Sequence, residues 1–291
     1  MRKIYVLIAL LSFFTTGKLY AQSASKVFDS KTLQSTVLGE ERKYSVYLPA
    51  GYDESERSYP ILYLLHPAGP RGTVPNQQAW IYYGELKQYL DTAIANGEIT
   101  PMVVVTPDAN FGTDRRSYYN DADGKFNFED FFFKEFMPHV EKTYRVRAEK
   151  ASRGIVGASA GGGGAVYYTL HHPELFAVCG GLSAAIREWQ DANMQARYPG
   201  VNENKLKEWF KDYDMFTIIR QMPDTEKNQF KLYLTCGDDD ALSVNNAAFH
   251  AELNKAGFQH EFRIKDGAHD WKYWRKILPD IMTYVSDVFR Q

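Results

Sequence analysis

The chain has 291 residues, of which 44% are hydrophobic, 24% charged and 15% aromatic, and its formal net charge is −2. This length and apolar content predict a folded chain with a substantial core and exclude long disorder. Without a basic surplus, nucleic acid is not expected as a partner. Cys179 and Cys236 are too few for a disulfide scaffold or a cysteine-rich metal site, and we expect two buried free thiols.

The N-terminus has the layout of a secretory signal peptide. Arg2 and Lys3 give a positive start, an apolar run follows over 4–14, and Ala21 stands before a polar residue. The run is shorter than the roughly 20 residues that span a membrane. We predict cleavage after Ala21, with Ala24 as a second candidate position, and a secreted or periplasmic protein of a bacterium. Cleavage removes three basic residues and no acidic residue, so the net charge becomes −5, and no membrane contact is expected afterwards.

Residues 22–291 show no repeat, low-complexity tract or linker, so we predict a single domain after the signal peptide of residues 1–21. Short apolar runs alternate with longer segments of helical spacing. The predicted strands are Arg42–Leu48, Ile61–Leu65, Met102–Thr106, Gly154–Val156, Phe176–Gly180, Lys231–Thr235 and Glu261–Lys265. The predicted helices are Ala79–Asn96, Phe128–Tyr144, Gly161–His172, Asn245–Ala256 and Trp271–Phe289. This alternation predicts an α/β fold with a mostly parallel sheet that helices cover on both faces.

Residues 183–228 interrupt the alternation and are rich in aromatic side chains, among them Tyr198 and Trp209. Open α/β sheets bind ligands at the carboxyl ends of their strands. We therefore predict that this aromatic segment is an insertion that lies over those ends.

A serine lies between a predicted strand and a predicted helix in the sequence Gly157-Ala-Ser159-Ala-Gly161, which matches G-x-S-x-G. In such a nucleophile elbow the serine occupies a sharp, strained turn, and small residues two positions away let the backbones pass. The N-terminus of the following helix then points N–H groups at any negative oxygen that forms beside the serine. A phosphate-binding loop would require a Lys-Ser/Thr pair after its glycines, and Gly164 is followed here by alanine and valine. The segment therefore predicts a nucleophilic Ser159.

An acid and a histidine follow the serine in loops after later strands. Asp238, Asp239 and Asp240 follow the strand that begins at Lys231, and His269 lies between the last strand and the last helix. A carboxylate in that position can hold the tautomer of a histidine and stabilise its charged form. The chemistry alone leaves the three aspartates open. The order serine, aspartate, histidine is that of the α/β-hydrolases, and His269 is the predicted general base.

Neither a metal nor a cofactor is predicted. Asp121 and Asp123 precede a glycine in a sequence that hints at a calcium loop, but Tyr119 stands where the first ligand of an EF-hand is required. We interpret this segment as a solvated turn.

The mature chain resembles, over nearly its whole length, the esterase D-like family of α/β-hydrolases. This family includes S-formylglutathione hydrolase, the mycolyltransferases, and the feruloyl and acetyl-xylan esterases of carbohydrate esterase family 1. Besides the Ser159 elbow, the resemblance lies in Val46-Tyr-Leu-Pro-Ala-Gly-Tyr52, Tyr59-Pro-Ile-Leu-Tyr-Leu-Leu-His66, Tyr144-Arg-Val146, His172-Pro-Glu-Leu-Phe176, Gly237-x-x-Asp240-x-Leu242 and His269-Asp-Trp271. It implies the α/β-hydrolase fold and selects Asp240 as the triad acid.

The resemblance also implies an oxyanion hole formed by the N–H of Ala160 and an N–H from the loop after His66. The chain departs from the family pattern at both places. His66-Pro67-Ala68 replaces the usual His-Gly-x-Gly, and Pro67 has no N–H, so the second donor is assigned to Ala68. Ala160 replaces a methionine and should leave extra room beside the acyl group.

These residues predict an exported serine carboxylic-ester hydrolase that cleaves feruloyl or acetyl esters linked to polysaccharide through an acyl-enzyme. A feruloyl ring requires a flat apolar slot, which Trp80, Tyr82, Trp209 or Trp271 could border, with core packing as the alternative for each. The expected partner is a small-molecule or polysaccharide ester, and the oligomeric state is left open. The alternatives are an exported acyltransferase with the same triad, an S-formylglutathione hydrolase-like esterase, and a non-catalytic carbohydrate-binding protein.

Overall fold

A computed structural model of the chain describes residues 23–68, 74–109, 118–186 and 194–291. Eight strands form one sheet in the order β1-β2-β4-β3-β5-β6-β7-β8. The strands are β1 (Lys26–Gln34), β2 (Glu41–Leu48), β3 (Ile61–Leu65), β4 (Val103–Pro107), β5 (Arg153–Ala158), β6 (Val178–Leu182), β7 (Lys231–Gly237) and β8 (His260–Lys265). Strand β2 runs antiparallel to its neighbours β1 and β4, and the strands from β4 to β8 pair in parallel. The predicted mostly parallel sheet is confirmed.

The ten described α-helices are α1 (Ala79–Tyr82), α2 (Leu86–Ala95), α3 (Phe128–Phe131), α4 (Met137–Thr143), α5 (Ala160–His171), α6 (Met194–Arg197), α7 (Glu203–Tyr213), α8 (Met215–Gln221), α9 (Ser243–Lys255) and α10 (Trp271–Phe289). They cover both faces of the sheet. One core contains side chains of α3, α4, α5, α8 and α9. The second core contains side chains of α1, α2 and α10. Because successive strand residues point to opposite faces, Tyr63 contributes to the first core and Leu62 to the second.

Two predicted helices are interrupted in the structure, and one observed strand was not predicted. Strand β1 was not predicted, because most of its side chains alternate between exposed and half-buried positions without an apolar run. The helix predicted over 79–96 is two helices, since Glu85 has a left-handed backbone with φ 53°. The helix predicted over 128–144 contains a π-helical segment, Phe132–Phe136, between α3 and α4. A π-bulge adds one residue to a turn, and hydrophobic periodicity does not reveal it.

The aromatic insertion carries α6, α7 and α8, and residues 187–193 of it lie outside the described ranges. Its small core includes Tyr198 and Leu206. Tyr198 donates a hydrogen bond to Asp121 at 2.9 Å, and the indole of Trp209 donates to the carbonyl of Asn120 at 2.9 Å. The insertion therefore packs on the chain that follows β4. Within the described ranges, every helix is too short or too polar to cross a membrane.

Candidate active site

Ser159 lies on the turn between β5 and α5 with φ 55° and ψ −118°, a strained backbone for a residue other than glycine. Two glycines make this turn possible. A Cβ on Gly157 would collide with the backbone of Gly161, and a Cβ on Gly161 would lie 2.5 Å from the carbonyl oxygen of Leu65. The G-x-S-x-G spacing thus has a steric cause. The serine is 8% exposed at the carboxyl end of the central strand.

His269 connects the serine to Asp240. Its Nε2 lies 2.8 Å from Ser159 Oγ, and its Nδ1 lies 2.8 Å from Oδ2 and 3.0 Å from Oδ1 of Asp240. The imidazole side chain is 34% exposed, whereas the aspartate side chain is fully buried. With Nδ1–H donating to the carboxylate, Nε2 is left to accept the serine proton. The structure therefore brings together the three residues that the sequence analysis singled out.

The acid loop and the histidine loop meet because β7 and β8 are neighbours and both loops leave from their carboxyl ends. Gly237 permits the approach, since a Cβ there would collide with the carbonyl of Gly267. Asp270 then caps α10 by accepting a hydrogen bond from the N–H of Tyr273 at 2.8 Å. This cap fixes the first turn of α10 directly after His269.

The three consecutive aspartates have different partners. Asp238 accepts a hydrogen bond from the N–H of Gly267, Asp239 is exposed, and Asp240 alone contacts His269. Burial raises the pKa of Asp240, but hydrogen bonds from His269, from the N–H of Leu242 and from a serine side chain outweigh it. The pKa therefore lies below its usual value, and the carboxylate is charged at neutral pH.

The two backbone N–H groups predicted to form an oxyanion hole belong to Ala160 and Ala68. Ala160 is the first residue of α5, so its N–H has no partner inside the helix. Ala68 follows Pro67, and the side chain of His66 contacts the peptide group that joins these two residues. The N–H of Ala109 donates to His66 Nε2 at 2.9 Å, which leaves the proton on Nδ1, and Nδ1 lies 2.9 Å from the carbonyl oxygen of Pro67.

That contact orients the donor. In a trans peptide the carbonyl of Pro67 and the N–H of Ala68 point in opposite directions from one plane. A hydrogen bond that holds the carbonyl therefore also fixes the direction of the N–H. Burial lowers the pKa of His66, which keeps the ring neutral and able to accept from Ala109.

The four aromatic residues predicted to border a substrate occupy different environments. Trp80 is fully buried and its indole donates to the carbonyl of Leu65 at 3.0 Å, so core packing accounts for it. Tyr82 is 54% exposed, and its hydroxyl donates to Asp29 on β1. Trp209 packs between Tyr198 and Tyr213. Trp271 is half-buried, two residues after His269.

Two side chains at the site were not found from the sequence. The ring centroids of Trp274 and His269 lie 5.2 Å apart in a T-shaped arrangement, with an interplanar angle of 84°. Its position three residues after Trp271, on a helix that begins beside the histidine, is a signal that could have found it. Ser183 contacts both Trp274 and Asp240, and nothing in its sequence context distinguishes it.

The turn at Asp121 and Asp123 is less solvated than predicted, because Asp121 is buried. Among the described residues, no group of three or more histidine, cysteine, aspartate or glutamate side chains is arranged to hold an ion. Asp121 accepts from Tyr198, and Asp123 forms an ion pair with Lys125 at 3.3 Å.

A serine on a strand–helix elbow, followed by an acid and a histidine at the carboxyl ends of a mostly parallel eight-stranded sheet, defines the α/β-hydrolase class. The family model described as "Putative esterase" matches residues 35–285. The chain therefore belongs to this esterase family, and it is an esterase of α/β fold.

Known proteins support the assignment. The chain is 29% identical over 260 residues to an endo-1,4-beta-xylanase/feruloyl esterase of Xylanibacter ruminicola, covering 85% of this chain and 30% of that protein. A solved ferulic acid esterase is 32% identical with a TM-score of 0.79, covering 92% of this chain and 99% of that one. An S-formylglutathione hydrolase of Staphylococcus aureus shares the fold, with a TM-score of 0.72 at 21% identity, over 91% of this chain and 100% of that one. The chain thus spans less than a third of the curated xylanase/feruloyl esterase that it matches.

Proposed function

We propose that this protein is an exported serine carboxylic-ester hydrolase that releases feruloyl or acetyl groups from polysaccharide through an acyl-enzyme. The observation that carries the proposal is the position of His269, 2.8 Å from Ser159 Oγ on one side and 2.8 Å from Asp240 on the other. These distances allow proton transfer from the hydroxyl to the imidazole, with the carboxylate stabilising the positive charge that develops.

The reaction proceeds in two halves. His269 takes the proton of Ser159 as the hydroxyl oxygen attacks the ester carbonyl, and the tetrahedral oxyanion forms beside the N–H groups of Ala160 and Ala68. The imidazolium then gives its proton to the leaving alcohol, and the acyl group stays on the serine. Water enters, loses a proton to His269 and attacks the acyl-enzyme. The imidazolium then returns the proton to Ser159 Oγ as the bond to the serine breaks and the acid leaves.

The donors of the oxyanion hole supply the larger share of the electrostatic stabilisation of the transition state. Each donor in such a hole contributes about 3–4 kcal/mol in well-studied enzymes, because the donors are fixed before charge develops. Here α5 supplies the first donor together with the positive end of its dipole. The contact between His66 and the Pro67 carbonyl fixes the second donor, so neither donor requires reorientation during the reaction.

The acyl specificity is the finer part of the proposal. Feruloyl esters are favoured by the two relatives at 29% and 32% identity, whose names include feruloyl or ferulic acid esterase. Trp271, half-buried beside the histidine, is the aromatic candidate that we place against the feruloyl ring. An acetyl group would need only the room that Ala160 leaves beside the serine.

Export is proposed from the sequence of residues 1–21, which lie outside the described ranges. Mass spectrometry of the N-terminus after expression in a bacterium with a periplasm tests it. We expect a chain that begins at Gln22 in the periplasmic fraction, and an intact N-terminus would contradict the proposal.

The proposed reaction is tested with the mature protein on methyl ferulate, acetylated xylan and p-nitrophenyl acetate, with Ser159→Ala as the control. We expect turnover of the first substrate and a loss of about 10⁴–10⁶-fold in kcat for the variant, which keeps its fold. Undiminished turnover by Ser159→Ala would exclude Ser159 as the nucleophile.

Two further arms separate the alternatives. Adding an acceptor sugar and analysing the products distinguishes hydrolysis from acyl transfer, since a transferase yields a new sugar ester. S-formylglutathione as substrate distinguishes a thioesterase of the kind found among the structural relatives. Acyl transfer to the sugar that is faster than hydrolysis of methyl ferulate would overturn the assignment. Faster turnover of S-formylglutathione than of methyl ferulate would overturn it as well.

A further inference from the structure

Ser183 is a buried serine that follows β6 and lies between the acid loop and α10. It is 0% exposed, and its N–H donates to the carbonyl of Thr235 on β7 at 2.7 Å. The reaction described above assigns no role to Ser183. Its surroundings belong to three distant parts of the chain, the ends of β6 and β7 and the first turns of α10.

The hydroxyl of Ser183 has three side-chain neighbours, which are Trp274, Asp240 and Cys236. The indole Nε1–H of Trp274 donates to Ser183 Oγ at 3.2 Å. The hydroxyl hydrogen is then available for an acceptor, and hydrogen bonding from this side chain lowers the pKa of Asp240. Asp240 in turn contacts His269, so Ser183 lies between Trp274 and the triad acid.

The backbone of Ser183 is strained. Its φ is 46°, in the left-handed region where a Cβ is unfavourable and where glycine is accommodated without cost. Ser159 is the other serine in that region among the described residues. Strain of this kind persists where the surrounding structure holds it, and it concentrates at functional sites. A serine at this position keeps a hydroxyl that glycine would lack.

We propose that Ser183 is a positioning residue, whose hydroxyl holds the carboxylate of Asp240 in the plane and orientation that His269 requires. The inference rests on the proposed function and deepens it. Asp240 is then held by the N–H of Leu242 on Oδ1 at 2.8 Å, by Ser183 and by His269. Without the serine hydroxyl, the carboxylate has fewer donors, and the indole N–H of Trp274 loses its acceptor.

The pH dependence of activity reports on this arrangement. The titratable groups that face Asp240 in the described structure are His269, the thiol of Cys236 and the phenol of Tyr273. Burial raises the pKa of Cys236 to about 12 and also raises that of Tyr273. The thiol and the phenol therefore stay uncharged between pH 5 and 9 and do not contribute to the acid limb of kcat/KM in that range. Loss of the donor leaves more negative charge facing the imidazolium, so the inactive protonated form persists to higher pH.

The test compares Ser183→Gly, Ser183→Ala and Trp274→Phe with wild type on p-nitrophenyl acetate and methyl ferulate. Glycine removes the hydroxyl and also the backbone strain, so Ser183→Gly should lose roughly 10–100-fold in kcat while keeping KM within about twofold. Its acid limb should move to higher pH, and its resistance to urea should equal or exceed that of Ser183→Ala. Trp274→Phe keeps the ring beside His269 and should show a smaller loss of kcat in the same direction.

Ser286→Ala is the matched control. Ser286 is also a fully buried serine that accepts a hydrogen bond, from the N–H of Thr100 at 2.7 Å, but on the far part of α10. We expect this variant to unfold at lower urea concentration with kcat and the pH profile unchanged. An unchanged kcat and acid limb in Ser183→Gly would overturn the proposal. A loss of kcat that only follows unfolding would also overturn it.

A readout without turnover separates this inference from the proposed function. The proton between His269 Nδ1 and Asp240 gives a downfield ¹H resonance, whose position depends on how the carboxylate is held. We expect it to shift or broaden in Ser183→Gly and to be unchanged in Ser286→Ala. If wild type fails on all esters, the proposed function fails, and this resonance still decides whether Ser183 positions Asp240. An unshifted resonance contradicts the positioning role.

Discussion

The triad contains a buried carboxyl group near a histidine, and the aromatic layer of Tyr119, Tyr167 and Tyr213 contacts a half-buried one. The pKa values of these two carboxyl groups are shifted in opposite directions. Asp240 receives hydrogen bonds from His269, Leu242 and Ser183, and its pKa lies below its usual value. Glu129 on α3 lies 3.8 Å from His171, and burial raises its pKa to about 7 despite a hydrogen bond from Tyr167.

The difference shows what makes a buried carboxylate useful in catalysis. Burial alone disfavours the charged form, so a carboxyl group with few donors is driven toward its neutral form. Asp240 is charged because donors converge on it from the backbone, a histidine and a serine. At Glu129 the hydrogen bond that opposes burial comes from the Tyr167 hydroxyl. The triad acid is thus defined by its donors more than by its burial.

The largest effect is expected from removing the charge at the triad. Asp240→Asn should lower kcat by about 10⁴-fold, because an amide cannot stabilise the imidazolium and favours the wrong tautomer of the histidine. Asp239→Asn, one residue earlier and exposed, is the matched control and should retain full activity. The measurement is kcat on p-nitrophenyl acetate, and equal losses in the two variants would contradict the assignment of the acid.

Removing the carboxylate charge of Glu129 in the aromatic layer should be favourable, in contrast to removing the charge of Asp240. The folded pKa of Glu129 is raised to about 7 from an ordinary 4.5, so its contribution to stability is present below pH 4.5 and is lost as the pH rises through 7. Glu129→Gln should therefore raise the free energy of unfolding by about 1–3 kcal/mol at pH 8, because it removes a buried charge.

Urea unfolding at pH 8 and pH 5 measures this difference. At pH 5 the carboxyl of the folded wild type is protonated, and the two proteins should agree within about 1 kcal/mol. Both proteins contain the same histidines, so the contribution of the histidines to the free energy of unfolding cancels in the difference between the two proteins. Destabilisation of Glu129→Gln at pH 8 would show that the charged carboxylate is favourable in this layer and would break the contrast with Asp240.

The smallest effects concern the two tryptophans that could border a substrate. Trp271→Phe should raise KM for methyl ferulate about three- to tenfold and leave p-nitrophenyl acetate unaffected, since a smaller ring covers less of the feruloyl group. Trp209 is held by Tyr198, Tyr213 and the carbonyl of Asn120, so Trp209→Phe should cost about 1 kcal/mol of stability with KM changed less than twofold. A larger KM effect for Trp209 would transfer the feruloyl contact to the insertion.

The sequence was sufficient where local sterics or chemistry leave few options. The elbow could be read from Gly157 and Gly161, because no other residue fits their close approaches. Strand β3 and helix α10 were predicted with their observed bounds, since an uninterrupted apolar run and a strong helical period each indicate one structure. The position of His269 after the last strand followed from the order of the chain.

The features of the fold and the site that the sequence did not predict depend on contacts between residues that are distant in the chain. Nothing in the sequence distinguishes Trp80 from Trp271, yet Trp80 is buried and Trp271 is half-buried. The packing of α1 on α10 decides this difference. Ser183 acquires its partners from β7 and α10, about 50 and 90 residues away in sequence. The direction of the Glu129 pKa likewise depends on a layer of aromatic rings that assembles only in the fold.

Both cysteines are buried and unpaired in strands β6 and β7, and burial raises the pKa of each thiol to about 12. Neither forms a thiolate at neutral pH, so thiol-directed alkylating agents and oxidants find no reactive cysteine in the folded protein. The fold also requires no disulfide, which makes it indifferent to the redox potential of the compartment in which it is made. A serine-directed phosphonate should therefore label this chain at one position, in reducing and oxidising buffers alike.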